Sequence, residues 1–136
     1  VALFVQIARL AQTSAALPGP GRSRKAGQIE RFRALLDVHV RQHTPVRSYA
    51  DALGVSVGQL SRLCREVLGM SAQDVVNARV VHEAQRELVY SSLSVKQIAA
   101  ELGFEDEAYF GRFFKKHTGQ RPTDFRREAR AQLAGA

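Results

Sequence analysis

Arg62 and Arg65, and about fifty residues later Arg112 and Lys115, are the side chains of this sequence best suited to recognition chemistry. Each pair is spaced by three residues, and each has small companions: Gly58 and Ser61 in the first case, Ala108 and Gly111 in the second. At about 100° per residue, each set falls on one face of a helix. Leu60, Leu63, Cys64 and Val67 fall opposite the first set, and Phe110, Phe113, Phe114 and His117 opposite the second. A guanidinium presents a planar fork of donors that bonds bidentately to phosphate or to guanine O6 and N7. Small neighbours let the helix backbone come close to the surface it reads. A single exposed arginine is ordinarily a solvated surface charge. The same charge at the same place in two helices, each time among small residues, points to binding.

Those two helices belong to a repeat. The stretch Ser48–Val75 and the stretch Gln97–Phe125 match at Ala50, Leu53 and Gly54 against Ala99, Leu102 and Gly103. After a one-residue insertion, Leu60, Arg62, Leu63, Gly69 and Asp74 match Phe110, Arg112, Phe113, Gly119 and Asp124. Each copy reads as a short helix, a turn at glycine and a second helix with a free outer face, which is a helix-turn-helix. Gly54 and Gly103 stand where the first helices must end in a left-handed C-cap.

The pattern predicts helices at 28–43, 46–53, 57–68, 72–90, 95–102, 106–118 and 122–132, so the fold class is all-α: two helix-turn-helix subdomains joined by a long bridging helix. The first motif is placed at 46–68, the bridge at 72–90 and the second motif at 95–118. Thr44-Pro45 ends one helix, because the residue before proline is pushed out of the α region. Ser56 is a candidate N-cap. Ser71 with Asp74 resembles a capping box, and Ser94 with Gln97 is one in full. Pro122 suits a first helical turn. Before these elements, residues 2–16 read as a short amphipathic helix within a segment 1–17. Residues 18–28, rich in Pro, Gly, Arg and Lys, read as a flexible linker. The remainder, 29–136, reads as one domain.

Twenty Lys and Arg oppose thirteen Asp and Glu, giving a net charge of +7 and a pI near 10.3. That balance suits a polyanionic partner. No apolar run approaches the roughly 18 residues of a membrane span, so no membrane partner is expected. One cysteine, Cys64, excludes an internal disulfide framework and suits a reducing cytoplasm.

The second motif resembles the signature of AraC/XylS-type transcription regulators through Ile98, Ala99, Gly103, Phe104, Tyr109, Phe110, Phe113, Lys115, Gly119, Pro122, Phe125 and Arg126. The resemblance covers 29–131. It implies sequence-specific binding of double-stranded promoter DNA, with both recognition helices entering successive major-groove segments. A bridge over 72–90 would span roughly 28 Å, compatible with a DNA turn of about 34 Å. By position, the resemblance places base contacts at Gln59, Ser61, Arg62, Glu107, Ala108, Gly111 and Arg112, with Gly58 too small for direct readout. Phosphate contacts are assigned to Arg65, Lys115, Lys116, Arg121, Arg126 and Arg127, with Arg22, Arg24 and Lys25 serving either phosphates or solubility. It further implies an N-terminal domain, absent from this sequence, that binds a small-molecule effector and dimerises. Residues 2–16 resemble its last helix. RNA polymerase is the implied protein partner and activation the usual mode. The fragment alone is expected to be mostly monomeric. The wording of Leu88–Gly119 also resembles the subgroup that activates aromatic-acid catabolism.

Other chemistry finds little support. His39 and His43 have a spacing that can bind zinc, but no third ligand is evident, so no metal and no cofactor is expected. Cys64, on an inner face, reads as a small buried hydrophobe. DNA-repair methyl acceptors with AraC-like domains need a zinc-bound cysteine cluster, which one cysteine cannot supply. No catalytic constellation stands out, so no enzyme is expected. Two alternatives remain beside the sequence-specific regulator: a nonspecific nucleic-acid binder and a helical protein-interaction module.

Overall fold

The computed structural model describes residues 20–135, with side chains from Arg24 onward. The expected helix at 2–16 lies outside the described residues. The fold is all-α, with seven helices among the described residues: α1 Pro20–His39, α2 Val46–Leu53, α3 Val57–Leu68, α4 Ala72–Tyr90, α5 Val95–Glu101, α6 Glu107–Thr118 and α7 Pro122–Gly135. A 3-10 turn, Val40–Gln42, follows α1. None of these helices is long and apolar enough to cross a membrane.

The start of α1 departs from the sequence reading. Residues 20–28, expected to be part of a flexible linker, are helical. Proline is tolerated in a first helical turn, so Pro20 does not break this helix. Ala26 and Ile29 are buried with Phe32 and Leu36 on the same stripe, and that packing outweighs the helix-weakening Gly27.

The chain divides into two compact units. Among the described residues, the first holds 20–40 and 44–78; α1, α2 and α3 pack on one another there. Its core joins Ile29, Phe32 and Leu36 to Tyr49, Ala50, Leu60, Cys64 and Leu68. Phe32 and Tyr49 meet edge to face at 5.6 Å, and the His39 ring stands 6.4 Å from Tyr49. The second unit holds Arg41–His43 and 79–136, with α6 packed on both α5 and α7. Its core is aromatic. Phe104 lies 5.2 Å from Phe110 and 5.2 Å from Phe113, and Phe114 lies 5.5 Å from Phe125. Helix α4 contributes residues to both units.

Local chemistry sets the helix ends. Gly54, Gly69 and Gly119 close α2, α3 and α6 in the left-handed region, with φ of 73°, 75° and 83°. Ser71 Oγ accepts from the Asp74 amide at 3.1 Å at the start of α4. Ser94 and Gln97 form the reciprocal box expected for α5.

Candidate nucleic-acid interface

In the first unit, α3 is the second helix of the motif. Its N-terminus is closed by a full capping box. Ser56 Oγ accepts from the Gln59 amide at 3.1 Å, while Gln59 Oε1 accepts from the Ser56 amide at 2.8 Å. This gives Gln59 a use its sequence assignment did not include. Its carbonyl oxygen is engaged in capping, and its amide NH2 supplies the donors that remain for a partner. The same S-x-x-Q spacing that flags Ser94 is present at Ser56 and would have revealed it.

Leu60, Cys64 and Leu68 are buried and Leu63 and Val67 half-buried, so this face of α3 is fixed against α1 and α2. Burial pushes the Cys64 thiol up to about 12. The outward arc then carries Gly58, Arg62 and Arg65, all exposed, with Ser61 half-buried. Arg62 acts electrostatically on Glu66, four residues further along the helix. Lys25 is committed elsewhere: its Nζ lies 2.6 Å from Glu66. That hydrogen bond, followed by Lys25's charge, holds the Glu66 carboxyl below its ordinary range.

In the second unit, α6 is the counterpart. Its cap is Asp106, whose carboxylate accepts from the Tyr109 amide at 2.7 Å. A carboxylate there also meets the positive end of the helix dipole. Phe110 and Phe114 are fully buried. Glu107, Ala108, Arg112, Lys115 and Lys116 are exposed and Gly111 is half-buried. A Cβ at Gly111 would meet nothing within 4 Å, so its side of the helix is open. His117 differs from expectation. It is exposed, with its ring 4.6 Å from Phe113, because this position lies at the edge of the apolar stripe.

The cations of α7 divide. Arg121 and Arg127 are exposed and both pair with Asp124, at 3.0 and 2.9 Å. The Arg121 hydrogen bond leads in holding the Asp124 carboxyl below its usual range. Arg126, expected on phosphate, is turned inward instead. Its Nε donates to the Leu88 carbonyl at 2.8 Å and its Nη2 to the Ser91 carbonyl at 3.5 Å. Arg130 Nη2 donates to the same Ser91 carbonyl at 2.5 Å. The last carbonyls of a helix lack intrahelical partners, and a cation is favoured there. Arg126 therefore caps α4, a role that follows from packing 38 residues away in sequence. Burial lowers its pKa from the ordinary arginine value.

His39 and His43 are the residues considered as metal ligands. His39 faces Tyr49 in the first unit, and His43 stands 4.7 Å from Phe104 in the second. No group of three candidate metal ligands occurs among the described residues.

Each unit thus offers one helix with an arc of small residues and cations. Known proteins share this fold. A family model described as a helix-turn-helix domain matches residues 49–128. An uncharacterized HTH-type transcriptional regulator of Escherichia coli, YijO, is 30% identical over 82% of this chain and 39% of its own length. The arabinose operon regulatory protein of Salmonella typhimurium is 32% identical over 62% of this chain and 30% of its own length. The DNA-binding domain of AdpA, a global transcriptional factor solved with a target DNA, superposes with a TM-score of 0.70 at 24% identity, covering 80% of this chain and 97% of that one. The likeness to AdpA is one of fold. The chain belongs to this helix-turn-helix domain family, and it shares its fold with a transcriptional regulator of Chromobacterium violaceum described by its AraC-type DNA-binding domain, at a TM-score of 0.67 and 24% identity. It spans well under half the length of the curated relatives it matches.

Proposed function

We propose that this chain recognises promoter DNA by laying α3 and α6 in two segments of major groove, each helix reading its own half of the site. The observation that carries this reading is the repeated outward arc. Gly58, Ser61, Arg62 and Arg65 recur as Ala108, Gly111, Arg112 and Lys115, each on a helix whose other face is locked in a core. Arg62 and Arg112 are the candidates for bidentate bonds to guanine. Arg65, Lys115 and Lys116 are the candidates for phosphate, which positions the helices without reading sequence. Glu107 at the start of α6 suits cytosine N4. Two readers in one chain let it bind as a monomer to an asymmetric site, where a single-motif protein must dimerise.

In a whole regulator, an effector-binding and dimerising domain, RNA polymerase as partner, activation as the mode and the cytoplasm as the location are parts of the same proposal. Regulation of aromatic-acid catabolism rests on the Leu88–Gly119 run alone. The test is a binding titration on promoter fragments against random-sequence duplex at one salt concentration. Affinity for one fragment several hundredfold above random duplex supports specific readout. Equal affinity for all duplexes would make the protein a nonspecific nucleic-acid binder, and no binding at moderate salt would make it a protein-interaction module.

A further inference from the structure

The second helix-turn-helix is built partly from residues that precede the first. Arg41–His43 belongs to the second unit, although the chain on both sides of it, up to Val40 and from Thr44, belongs to the first. Three observations within the second unit converge on this segment.

The Arg41 guanidinium is gripped by three carboxylates. Its Nη2 lies 3.2 Å from Glu83 and 3.0 Å from Glu87, and its Nη1 lies 3.2 Å from Glu101. Glu83 is the one buried charged residue among those described, and it also accepts from Arg79 at 3.2 Å. Two of these carboxylates come from α4 and the third from the last residue of α5. A planar fork can satisfy several acceptors at fixed angles in a way that a lysine ammonium cannot.

His43 is held in the left-handed region at φ 52°, the only non-glycine there among the described residues. Such a conformation persists when its surroundings over-determine it. Its ring stands 4.7 Å from Phe104 and 5.9 Å from Tyr109, and those two rings are 5.3 Å apart.

Gly103, in the turn between α5 and α6, leaves room for the segment. A Cβ there would lie 2.9 Å from the Gln42 carbonyl carbon and from the His43 N and Cβ. The turn of the second motif and residues 42–43 are therefore fitted backbone to backbone.

From this we infer that Arg41 and His43 are positioning residues for the second recognition helix: Arg41 fixes the 41–43 segment on α4 and α5, and His43 sets Tyr109 and the first turn of α6. The inference rests on the DNA-reading proposal above. Neither residue touches DNA in this scheme. Both act on the half-site that α6 reads and leave the α3 half-site alone. The exposed pair with Glu101 contributes little net stability, whereas removing Arg41 takes a partner from the buried Glu83, so a fold check accompanies every Arg41 variant.

The test is enrichment from a randomised duplex pool. The intact chain is expected to enrich a sequence with two blocks. Arg112→Ala identifies the α6 block as the one it loses. Arg41→Ala is then expected to lose that same block, by about tenfold in enrichment, and to keep the other. Arg41→Ala combined with Arg112→Ala should cost little more than Arg112→Ala alone, whereas combination with Arg62→Ala should be additive. General loosening of the fold would instead weaken both blocks and show no such selective coupling. His43→Ala leaves the ion cluster intact and should weaken the α6 block to a smaller extent; it serves as the deciding variant if Arg41→Ala does not fold. Retention of both blocks by a folded Arg41→Ala and by His43→Ala overturns this inference alone. Loss of both blocks in folded variants also overturns it. Failure of the unaltered chain to enrich any sequence overturns the DNA-reading proposal, and this inference with it.

Discussion

The two recognition helices agree where they face outward and differ at the flanks of that face. Aligned on Arg62 and Arg112, the central arc is the same in size and charge: Gly58 with Ala108, Ser61 with Gly111, Arg65 with Lys115. At the edges, Val57 stands against Glu107, Gln59 against Tyr109 and Glu66 against Lys116. The supports differ more. Helix α3 is capped by a serine–glutamine box and backed by aliphatic residues and Cys64. Helix α6 is capped by an aspartate and backed by phenylalanines. One outward arc can thus be carried by two differently packed interiors, because the arc needs only a helix held firmly on its other side. In the proposed function, divergent flanks give the two helices different preferences, as an asymmetric site requires.

The largest effect should come from the interiors. Phe114→Ala should cost about 3–5 kcal/mol and Leu60→Ala about 2–5 kcal/mol, read by chemical denaturation. Both side chains are fully buried. If Phe114→Ala proves no more costly than Leu60→Ala, the ring contacts to Phe110 and Phe125 add nothing beyond burial, and the contrast between the two interiors is one of shape only.

Next come the matched arginines. Arg62→Ala and Arg112→Ala should each weaken specific binding by about 1–3 kcal/mol, and each should relax a different half of the site. Relaxation of the same half by both would break the equivalence of the two motifs.

Two neighbours on α7 should then separate. Arg126→Ala should lower stability by about 1–2 kcal/mol, since it removes a charged donor from the end of α4. Arg127→Ala should leave stability nearly unchanged and reduce the salt slope of DNA binding by about 0.9 if it meets a phosphate. Reversed outcomes would mean that α7 is oriented differently in the DNA complex.

Gly111→Ala should give the smallest change and the most diagnostic sign. The helix interior gains about 1 kcal/mol, as alanine is the better helix former and its Cβ has room. DNA affinity should fall if the backbone approaches the groove there. Thermal melting and binding titration must move in opposite directions; an unchanged affinity would mean that Gly111 is simply solvent-facing.

Local signals in the sequence were sufficient for the helices from α2 onward. Val46–Leu53, Val57–Leu68 and Ala72–Tyr90 coincide with the expected spans. Their limits are set by interactions within four or five residues: serine caps, apolar spacing, and glycines that take positive φ without strain. The start of α1 was less legible. The composition of 20–28 reads as linker, and its helical state depends on Ala26 and Ile29 finding a core made of later residues.

The outward arc of each recognition helix was therefore written in the sequence, because about 3.6 residues per turn decides which residues share a face before any partner is known. What each polar side chain does with its bonds was not. Gln59 caps its own helix, Lys25 meets Glu66, Arg126 closes α4 and Arg41 gathers three carboxylates. The last three partnerships join residues some forty to sixty positions apart. Charge and hydrogen-bonding capacity are properties of a residue, but the partner that satisfies them is chosen by the packing of the chain, and only the tertiary structure makes that choice.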